Sequence, residues 1–252
     1  MENIYIKIRE RARQLVKKYP APAFYDDFSD ANGESKHFFD TDQMIVRLRE
    51  FVSAEIESDF GHGIAHARKV SIDAGALILI ESVNKCLPEP EAKRKLFIVQ
   101  CAGLLHDLKR KEKDHALKGA EFARELLKQY QLSHMEIDEV CQAIRNHEAF
   151  KETQGGGKPG ECLVSDCLYD ADKFRWGPDN FTHTVWDMVM FANIPLSKFI
   201  KHYPGGMKTM SKIKLTFRTE TGKKYGPQFI DIGISVGERL FKVIHQEFSE
   251  YL

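Results

Sequence analysis

Residues Leu96–Asp107 read LFIVQCAGLLHD, an apolar run that ends in a histidine and an aspartate. The run predicts a buried helix, and a charged loop follows it directly over residues 109–114. A carboxylate at the end of a buried helix is costly unless a positive charge neutralises it. A metal ion can do so, with histidine as its usual nitrogen ligand. An ordinary polar helix end explains the pair equally well when it stands alone.

Composition narrows the classes of protein. The chain has 252 residues, of which 42% are hydrophobic, enough for one sizeable core. Lys and Arg together number 37, as do Asp and Glu, so the formal net charge is zero. Nonspecific binding to nucleic acid depends on excess positive charge, so nucleic acid is disfavoured as a partner. A small anionic substrate held by a local basic cluster is not disfavoured.

The cysteines and the hydropathy of the chain indicate the cellular compartment that we expect for the protein. The five cysteines show no CxxC spacing, which fits a reducing environment. Cys101 and Cys141 lie in apolar helical patterns and are predicted core residues. The first residues lack an apolar signal region, and the longest apolar stretch, near Ala74 to Ile80, is too short to span a membrane. We expect a cytoplasmic protein without a membrane partner.

The hydrophobic periodicity predicts an all-α chain. Helices are expected over residues 2–18, about 41–56, 64–83, 91–105, 114–130, 133–147, 162–174 and about 228–251, with a further apolar segment from residue 179. Ser133 and Glu136 form a predicted capping box at one helix start. Residues 21–39 and the glycine-rich residues 153–160 are predicted loops. The second is not a phosphate cradle, because no strand precedes it and no GK[ST] follows.

The only strand-like signal is an alternation of apolar and polar residues over 212–219, which predicts a short strand or hairpin near the C-terminus. We find no internal repeat. The chain is therefore predicted to be a single helical domain over residues 1–252. Its motif-bearing core covers about residues 60–175, with N-terminal helices over 1–59 and a C-terminal helical extension over 176–252.

Side chains of the metal-ligand type recur near the ends of the predicted helices. A lone histidine on a helix is more often solvated or hydrogen-bonded than a ligand, but a set of six is harder to explain in that way. Mixed imidazole and carboxylate ligands suit Fe, Mn, Zn or Ni better than Ca, and a helical bundle can hold two such ions. Asp107 is the residue that could bridge them. The candidate ligands are His66, His106, Asp107, His115, His147 and Asp172.

In their order along the chain, these residues resemble the HD-domain superfamily of metal-dependent phosphohydrolases. Residues 66–70 resemble the first motif of the family, residues 102–107 resemble the second, and residues 170–174 resemble the last. His115 and His147 fall where binuclear members bind a second metal. The resemblance covers about residues 60–175. It implies an HD helical bundle and one or two divalent ions (Fe, Mn, Ni, Co, Zn or Mg). It also implies hydrolysis of a small phosphorylated substrate, a nucleotide first of all, by metal-activated water.

The chain departs from the family pattern in three places. His62 competes with His66 for the first ligand position; we choose His66, because Val70 follows it as in the motif, and expect His62 to bind phosphate. No Gly-Tyr-Pro signature follows His147, which disfavours cyclic dinucleotides. Lys109 and Arg110 stand where the family often has Gly-Lys.

Roles beyond the ligands follow from the resemblance. Asp107, Lys109 and Arg110 are predicted catalytic residues, and Arg110 and Lys173 are predicted to bind the phosphate with His62. A charged stretch such as 109–114 is more commonly a solvated surface. The basic segment 208–224 either covers the pocket or is a solvated hairpin, and we favour the hairpin.

Two other functions stay open. A His4Asp2 set also resembles the HD-type di-iron oxygenases of small polyols or phosphonates, which need iron and oxygen. The second open function is that of a degenerate HD protein, which would bind a nucleotide and regulate a partner. The complete ligand set argues against it. An oligomer is compatible with either function and with the hydrolase.

Overall fold

The computed structural model describes residues 4–55, 63–152 and 162–252, and these ranges are 78% helix. The described residues contain no strand, which confirms the all-α prediction. A π-helical segment, Asn180–Thr184, leads into the tenth helix. The α-helices are α1 (Ile4–Val16), α2 (Ala23–Asp27), α3 (Ser29–Thr41), α4 (Gln43–Glu55), α5 (Ile64–Asn84), α6 (Glu89–Leu105), α7 (His115–Leu127), α8 (His134–Arg145), α9 (Leu163–Phe174), α10 (Val185–Phe191), α11 (Leu196–Ile213) and α12 (Glu220–Glu247).

The predicted strand or hairpin over 212–219 is wrong. Helix α11 continues to Ile213, a turn follows, and α12 begins at Glu220. The alternation does not mark one buried face, because Leu215 is 87% exposed whereas Ile213 and Phe217 are buried. The backbone N–H groups of Arg218 and Thr219 donate to the buried Asp170 carboxylate instead of to a neighbouring strand.

The predicted loop over 21–39 is also wrong, because α2 and α3 occupy most of it. Pro22 immediately precedes α2, a position where its fixed φ suits a helix start. Phe24 and Phe39 are fully buried and attach the two short helices to the core. The remaining predicted helices lie within a few residues of the observed ones, apart from α12, which begins eight residues earlier than expected. The capping box at Ser133 and Glu136 is confirmed.

Helices α5 and α6 form the centre of the molecule. Every residue from Leu96 to Leu105 on α6 is buried, and this range includes Cys101. Cys141 on α8 is buried too, so both cysteines lie in the core as predicted. Helix α5 packs against α6, α3 and α9, and α8 packs against α7, α6 and α9. One apolar cluster runs through the chain from Tyr5 to Phe248. Among the described residues, no helix combines the length and apolar character needed to cross a lipid bilayer.

The C-terminal helix is attached to the core by two buried carboxylates. Asp170 of α9 accepts hydrogen bonds from the N–H and hydroxyl of Thr219, and Glu81 of α5 accepts from the N–H and hydroxyl of Thr221. These acceptors satisfy backbone donors of the first turn of α12, where a negative charge also suits the helix dipole. The start of α12 is thereby fixed directly to the two helices that carry His66 and Asp172.

Candidate metal centre

The six predicted ligands converge at one end of the helical bundle. His66 lies in the first turn of α5, His106 and Asp107 directly follow α6, and His115 is the first residue of α7. His147 lies just after α8, and Asp172 lies in the last turn of α9. Because α5 packs on α6 and α9, and α8 packs on α6, α7 and α9, these helix ends meet. Five separate helices therefore position a single site.

The first half of the site consists of His66, His106, Asp107 and Asp172. His66 Nε2 lies 3.2 Å from His106 Nε2 and 3.3 Å from Asp172 Oδ1. Asp107 Oδ2 lies 3.3 Å from His106 Nε2 and 3.7 Å from His66 Nε2. All four side chains are buried. Two imidazole nitrogens and an oxygen of Asp107 thus lie within 4.8 Å of one another, and Asp172 Oδ1 lies 3.3 and 3.8 Å from the two imidazole nitrogens.

The second half of the site uses the other oxygen of Asp107. Asp107 Oδ1 lies 3.4 Å from His147 Nε2 and 3.8 Å from His115 Nε2. The ligand atoms of these three residues lie within 4.8 Å of one another, as do those of His66, His106 and Asp107. Asp107 therefore belongs to both groups, as its predicted bridging role requires.

Two histidines are held in the tautomer that a metal ligand needs. His106 Nδ1 lies 2.8 Å from the Gly103 carbonyl oxygen, and His147 Nδ1 lies 2.6 Å from the Ile144 carbonyl oxygen. Each carbonyl is an acceptor, so each Nδ1 donates and each Nε2 keeps its lone pair. His147 Nε2 is buried and has no hydrogen-bond donor among the described residues. A lone pair enclosed in this way fits coordination of a cation.

The charges of the site also fit a cation. Burial opposes a charge on His106, but Asp107 and Asp172 outweigh it and raise the pKa of His106. The carboxylates thus favour positive charge at this point. Burial also opposes ionisation of Asp172, yet Lys173 and the neighbouring histidines hold its pKa well below the ordinary range. Burial, Arg110 and His147 lower the pKa of His115 to about 4. A neutral imidazole and an ionised carboxylate are the forms that bind metal.

The structure separates the two predicted catalytic cations. Arg110 reaches the site: its Nη1 lies 2.8 Å from His115 Nε2 and 3.7 Å from Asp107 Oδ1. Lys109 does not reach it, because its Nζ lies 4.7 Å from the centre of the Phe122 ring and 3.7 Å from Glu112. The turn that follows α6 directs these adjacent side chains to different surfaces. Their divergence depends on the turn, which the sequence does not reveal.

Lys173 lies inside the site and is already hydrogen-bonded. Its buried Nζ donates to Asp172 Oδ2 at 2.5 Å and to the His147 carbonyl oxygen at 2.8 Å. It thereby connects a ligand of the first half with the segment that carries a ligand of the second. His62 lies outside the described residues. Of the six basic residues between 208 and 224, Lys208, Lys212, Lys223 and Lys224 are exposed on helices α11 and α12 and not on a hairpin. Lys214 is half-buried, and Arg218 is buried over the Tyr169 ring, so only part of the segment is a solvated surface.

A cavity of about 300 Å³ opens from the ligands. The sequence did not indicate several of its lining residues: Glu148, Phe150, Arg175, Trp176, Asn180, Thr184, Met188 and Thr209. Glu148 has a sequence signal, since it directly follows His147, and its Oε1 lies 4.0 Å from His115 Nε2. Phe150 has a φ of +63°, an uncommon conformation for a bulky residue, and is 59% exposed. The others come from elements after α9, where no motif marks them.

Comparison with protein families assigns this region. The family model for the HD domain matches residues 63–177, the segment that contains all six ligands. Residues 63–177 therefore match an HD domain, their clustered His and Asp residues fit a metal site, and the resemblance predicted from the sequence is confirmed. HD domains are in general metal-dependent phosphohydrolases. Searches of the curated proteins and of the solved structures found no match to this chain.

Proposed function

We propose that the chain is a binuclear HD phosphohydrolase that cleaves a small phosphoester, with a nucleotide as the first candidate. The observation that carries this proposal is the position of Asp107. One of its oxygens faces His66 and His106, and the other faces His115 and His147. A single metal ion would use only one of these sets.

In this proposal some residues bind the metal ions and others bind the substrate. Bound divalent ions would supply the Lewis acidity that makes hydroxide available near neutral pH and neutralises phosphoryl oxygens. Arg110 lines the cavity and is a cation able to pair with a phosphoryl oxygen in a bidentate manner. Lys173 keeps Asp172 ionised and oriented. Lys109 has no role in this proposal, because its side chain lies elsewhere.

The cavity lining supports a nucleotide. Arg110, Lys173 and Arg175 give it an excess of positive charge over its two carboxylates, Glu148 and Asp172. Trp176, Phe150 and Met188 offer apolar surfaces for a base, while Asn180, Thr184 and Thr209 offer hydrogen-bonding groups. A few polar groups in an otherwise apolar pocket are typical of small-molecule sites. We extend the proposal to one domain over residues 1–252, since the apolar cluster is continuous across these elements.

The test is whether the protein hydrolyses a nucleotide in the absence of oxygen. Metal-free protein, reconstituted with Mn or Co under nitrogen, is expected to release phosphate from at least one nucleotide in a panel of nucleoside mono-, di- and triphosphates. Arg110→Gln is expected to raise KM for that nucleotide. Its neighbour Lys109→Gln is the matched control and is expected to leave KM unchanged, because Lys109 does not line the cavity.

Two outcomes would overturn the hydrolase. Oxygen consumption that requires ferrous iron, with no phosphate released from any ester, would indicate an oxygenase. Tight nucleotide binding without turnover under any metal would indicate a regulatory protein.

A further inference from the structure

A second and larger cavity lies next to the first, and Arg175 lines both. It has a volume of about 620 Å³, within the usual range for a small-molecule site. Its walls come from the α1–α2 connection, α3, α5, the end of α9 and α12. None of the six metal ligands lines it. It therefore does not include the metal centre.

The rim of this cavity carries more positive than negative charge. Four cationic side chains line it (Lys36, Arg68, Lys69 and Arg175) but only two carboxylates do, Asp73 and Asp179. A further carboxylate, Asp40, is shared among Lys36 at 2.7 Å, Arg68 at 3.3 Å and Arg49 at 3.4 Å. Three cations that share one carboxylate leave net positive charge at the mouth of the cavity. A concave site of one sign concentrates ligands of the opposite sign.

The floor of the cavity is a buried polar network. Arg175 donates to Asp73, to the Tyr25 hydroxyl at 2.9 Å and to Asp179 at 2.6 Å. Lys69 Nζ donates to the second oxygen of Asp179 at 2.9 Å. Arg175 is 6% exposed, and its Nε is buried without an acceptor among the described residues. The network leaves a donor of a buried cation unused beside the cavity.

The walls above this floor are flat and apolar. Phe174 and Phe229 stack with ring centres 4.1 Å apart and planes within 5°, and Tyr25 meets Phe229 edge-on. Tyr19 and prolines 20, 22 and 178 complete the lining. Phe174 and Phe229 are almost fully buried against each other, so a planar ring would pack chiefly against the half-buried Tyr19, Tyr25 and Pro178.

We propose that this cavity binds a small organic anion with a flat apolar body. The anionic group would meet the rim cations Lys36, Arg68 and Lys69, and the ring would pack among the aromatic and proline side chains. This cavity shares Arg175 with the cavity at the metal centre but shares no metal ligand with it, so the proposed binding does not depend on the proposed hydrolysis.

The chain offers a substitution that blocks the cavity. Gly33 of α3 lines the cavity, and a Cβ added there meets no atom within 4 Å. The side chain of Gly33→Trp would therefore start in open space, and we expect its ring to occupy part of the cavity. Gly205 of α11 is the matched control, because a Cβ added there also meets nothing within 4 Å and the residue does not line the cavity.

The experiment is calorimetric titration of the manganese-loaded protein with naphthalene-2-sulfonate and with its uncharged analogue 2-naphthol. The expected result is one saturable site for the sulfonate, with 2-naphthol bound at least tenfold more weakly. Binding should disappear in Gly33→Trp and persist in Gly205→Trp and Asp107→Ala. The double variant Lys36→Gln, Arg68→Gln should lower the affinity for the sulfonate at least tenfold, and this tests the rim even if Gly33→Trp does not fold.

Four results would overturn the proposal. These are no binding by the unaltered protein, undiminished binding by Gly33→Trp, equal affinity for 2-naphthol, or loss of binding in Asp107→Ala. The last result would place the sulfonate at the metal centre.

Discussion

The two carboxylate oxygens of Asp107 face different sets of histidines, and this division distinguishes the two halves of the centre. His66 and His106 lie on the Oδ2 side, with Asp172 beside them, and His115 and His147 lie on the Oδ1 side. Removing Asp107 affects both halves, whereas removing a histidine affects one. The number of metal ions that a variant retains should therefore depend on which of these residues is removed.

Asp107→Ala is expected to bind no metal, while His115→Ala and His147→Ala are each expected to keep one ion and lose the other. The reason is that the latter two residues contact only the second half of the site. Elemental analysis of protein purified without chelators measures the stoichiometry, and far-UV circular dichroism verifies that each variant remains helical. Full metal content in Asp107→Ala, or unchanged stoichiometry in both histidine variants, would exclude this assignment.

At the residue scale, the sequence was sufficient to select the candidate ligands that the structure brings together, and insufficient for their surroundings. Histidines and aspartates at helix ends were identified by residue type, and the structure brings all six together. Lys109 and Arg110 are neighbours of the same charge, so only the geometry of the turn distinguishes them. Lys173 resembles a phosphate ligand in sequence, but its hydrogen bonds to Asp172 and the His147 carbonyl indicate a positioning role.

The close approach of α5 and α6 depends on glycines, and at Gly103 the obstructing atoms include main chain. An alanine Cβ at position 103 would lie 2.6 Å from Ser71 Oγ and 2.7 Å from Ser71 Cα. The backbone of α5 would have to move, because the obstructing atoms include main chain. The Gly103 carbonyl also accepts from His106 Nδ1, so this close approach and the orientation of a ligand are coupled.

Gly103→Ala is therefore expected to lower the free energy of unfolding by about 1–3 kcal/mol, as overpacked core substitutions do. Gly33→Ala, also within a helix but facing open space, is expected to raise it by about 0.5–1 kcal/mol through better helix propensity. Urea unfolding of both variants checks the pair. Equal effects of the two substitutions would contradict the close contact between α5 and α6.

A charge pair joins α6 to the start of α8. Arg94 donates to both oxygens of Glu136, at 2.5 and 2.9 Å, and Glu136 also accepts from Ser133 N–H at 2.7 Å. Arg94 and these hydrogen bonds lower the pKa of Glu136 to about 2. A carboxyl whose pKa is lower in the folded than in the unfolded state, where it is about 4.3, stabilises the fold above the unfolded value. That stabilisation is lost as the pH falls from about 4.3 towards 2.

Glu136→Gln keeps a residue suited to the capping box and removes the charge. We expect the variant to be less stable by about 0.5–1 kcal/mol at pH 7, the size of a partly exposed ion pair. The difference should be constant down to about pH 5 and shrink below about pH 4.3. Urea unfolding at pH 7, 5 and 3.5 measures it, and the same comparison in an Arg94→Gln background should show little pH dependence. A difference that is independent of pH would contradict the role of the ion pair.

At the scale of helices and strands, prediction from the sequence succeeded where a single hydrophobic pattern dominated the segment. Helix α6 was located within two residues because a nearly continuous apolar run from Leu96 to Leu105 forms its second half and Pro88 precedes it. The strand over 212–219 failed because Ile213 ends a helix, Phe217 fills the core from a loop, and Leu215 points to solvent. The helices within 21–39 were missed because their stability comes from burying Phe24 and Phe39, which is a tertiary contact that local propensity does not report.

At the scale of the whole molecule, the chain outside the matched HD segment contributes to the pocket. Asn180, Thr184, Met188 and Thr209 all lie beyond residue 177 and line the cavity at the metal ligands. The HD segment thus supplies the ligands, and the C-terminal part supplies much of the wall that a substrate would touch. This division explains why the sequence indicated the chemistry of the centre more clearly than its substrate.

The ligands come from five different helices, so metal binding is expected to stabilise the entire fold. A ligand that binds only the folded state at a hundred times its Kd adds about 2.7 kcal/mol. For a protein of this size, that corresponds to a rise in Tm of roughly 5–11 °C. Thermal unfolding with saturating Mn and after exhaustive chelation measures the difference.

Asp107→Ala provides the control for this expectation, because it keeps the fold's other contacts and lacks the residue common to both halves of the centre. Its Tm should be the same with Mn and with chelator, whereas His147→Ala, which retains the first half, should show an intermediate rise. An equal rise in the unaltered protein and in Asp107→Ala would mean that Mn binds elsewhere on the surface. No rise in the unaltered protein would mean that these buried side chains stabilise the end of the bundle without a metal, since ions shared by five helices cannot bind the folded state alone and leave its stability unchanged.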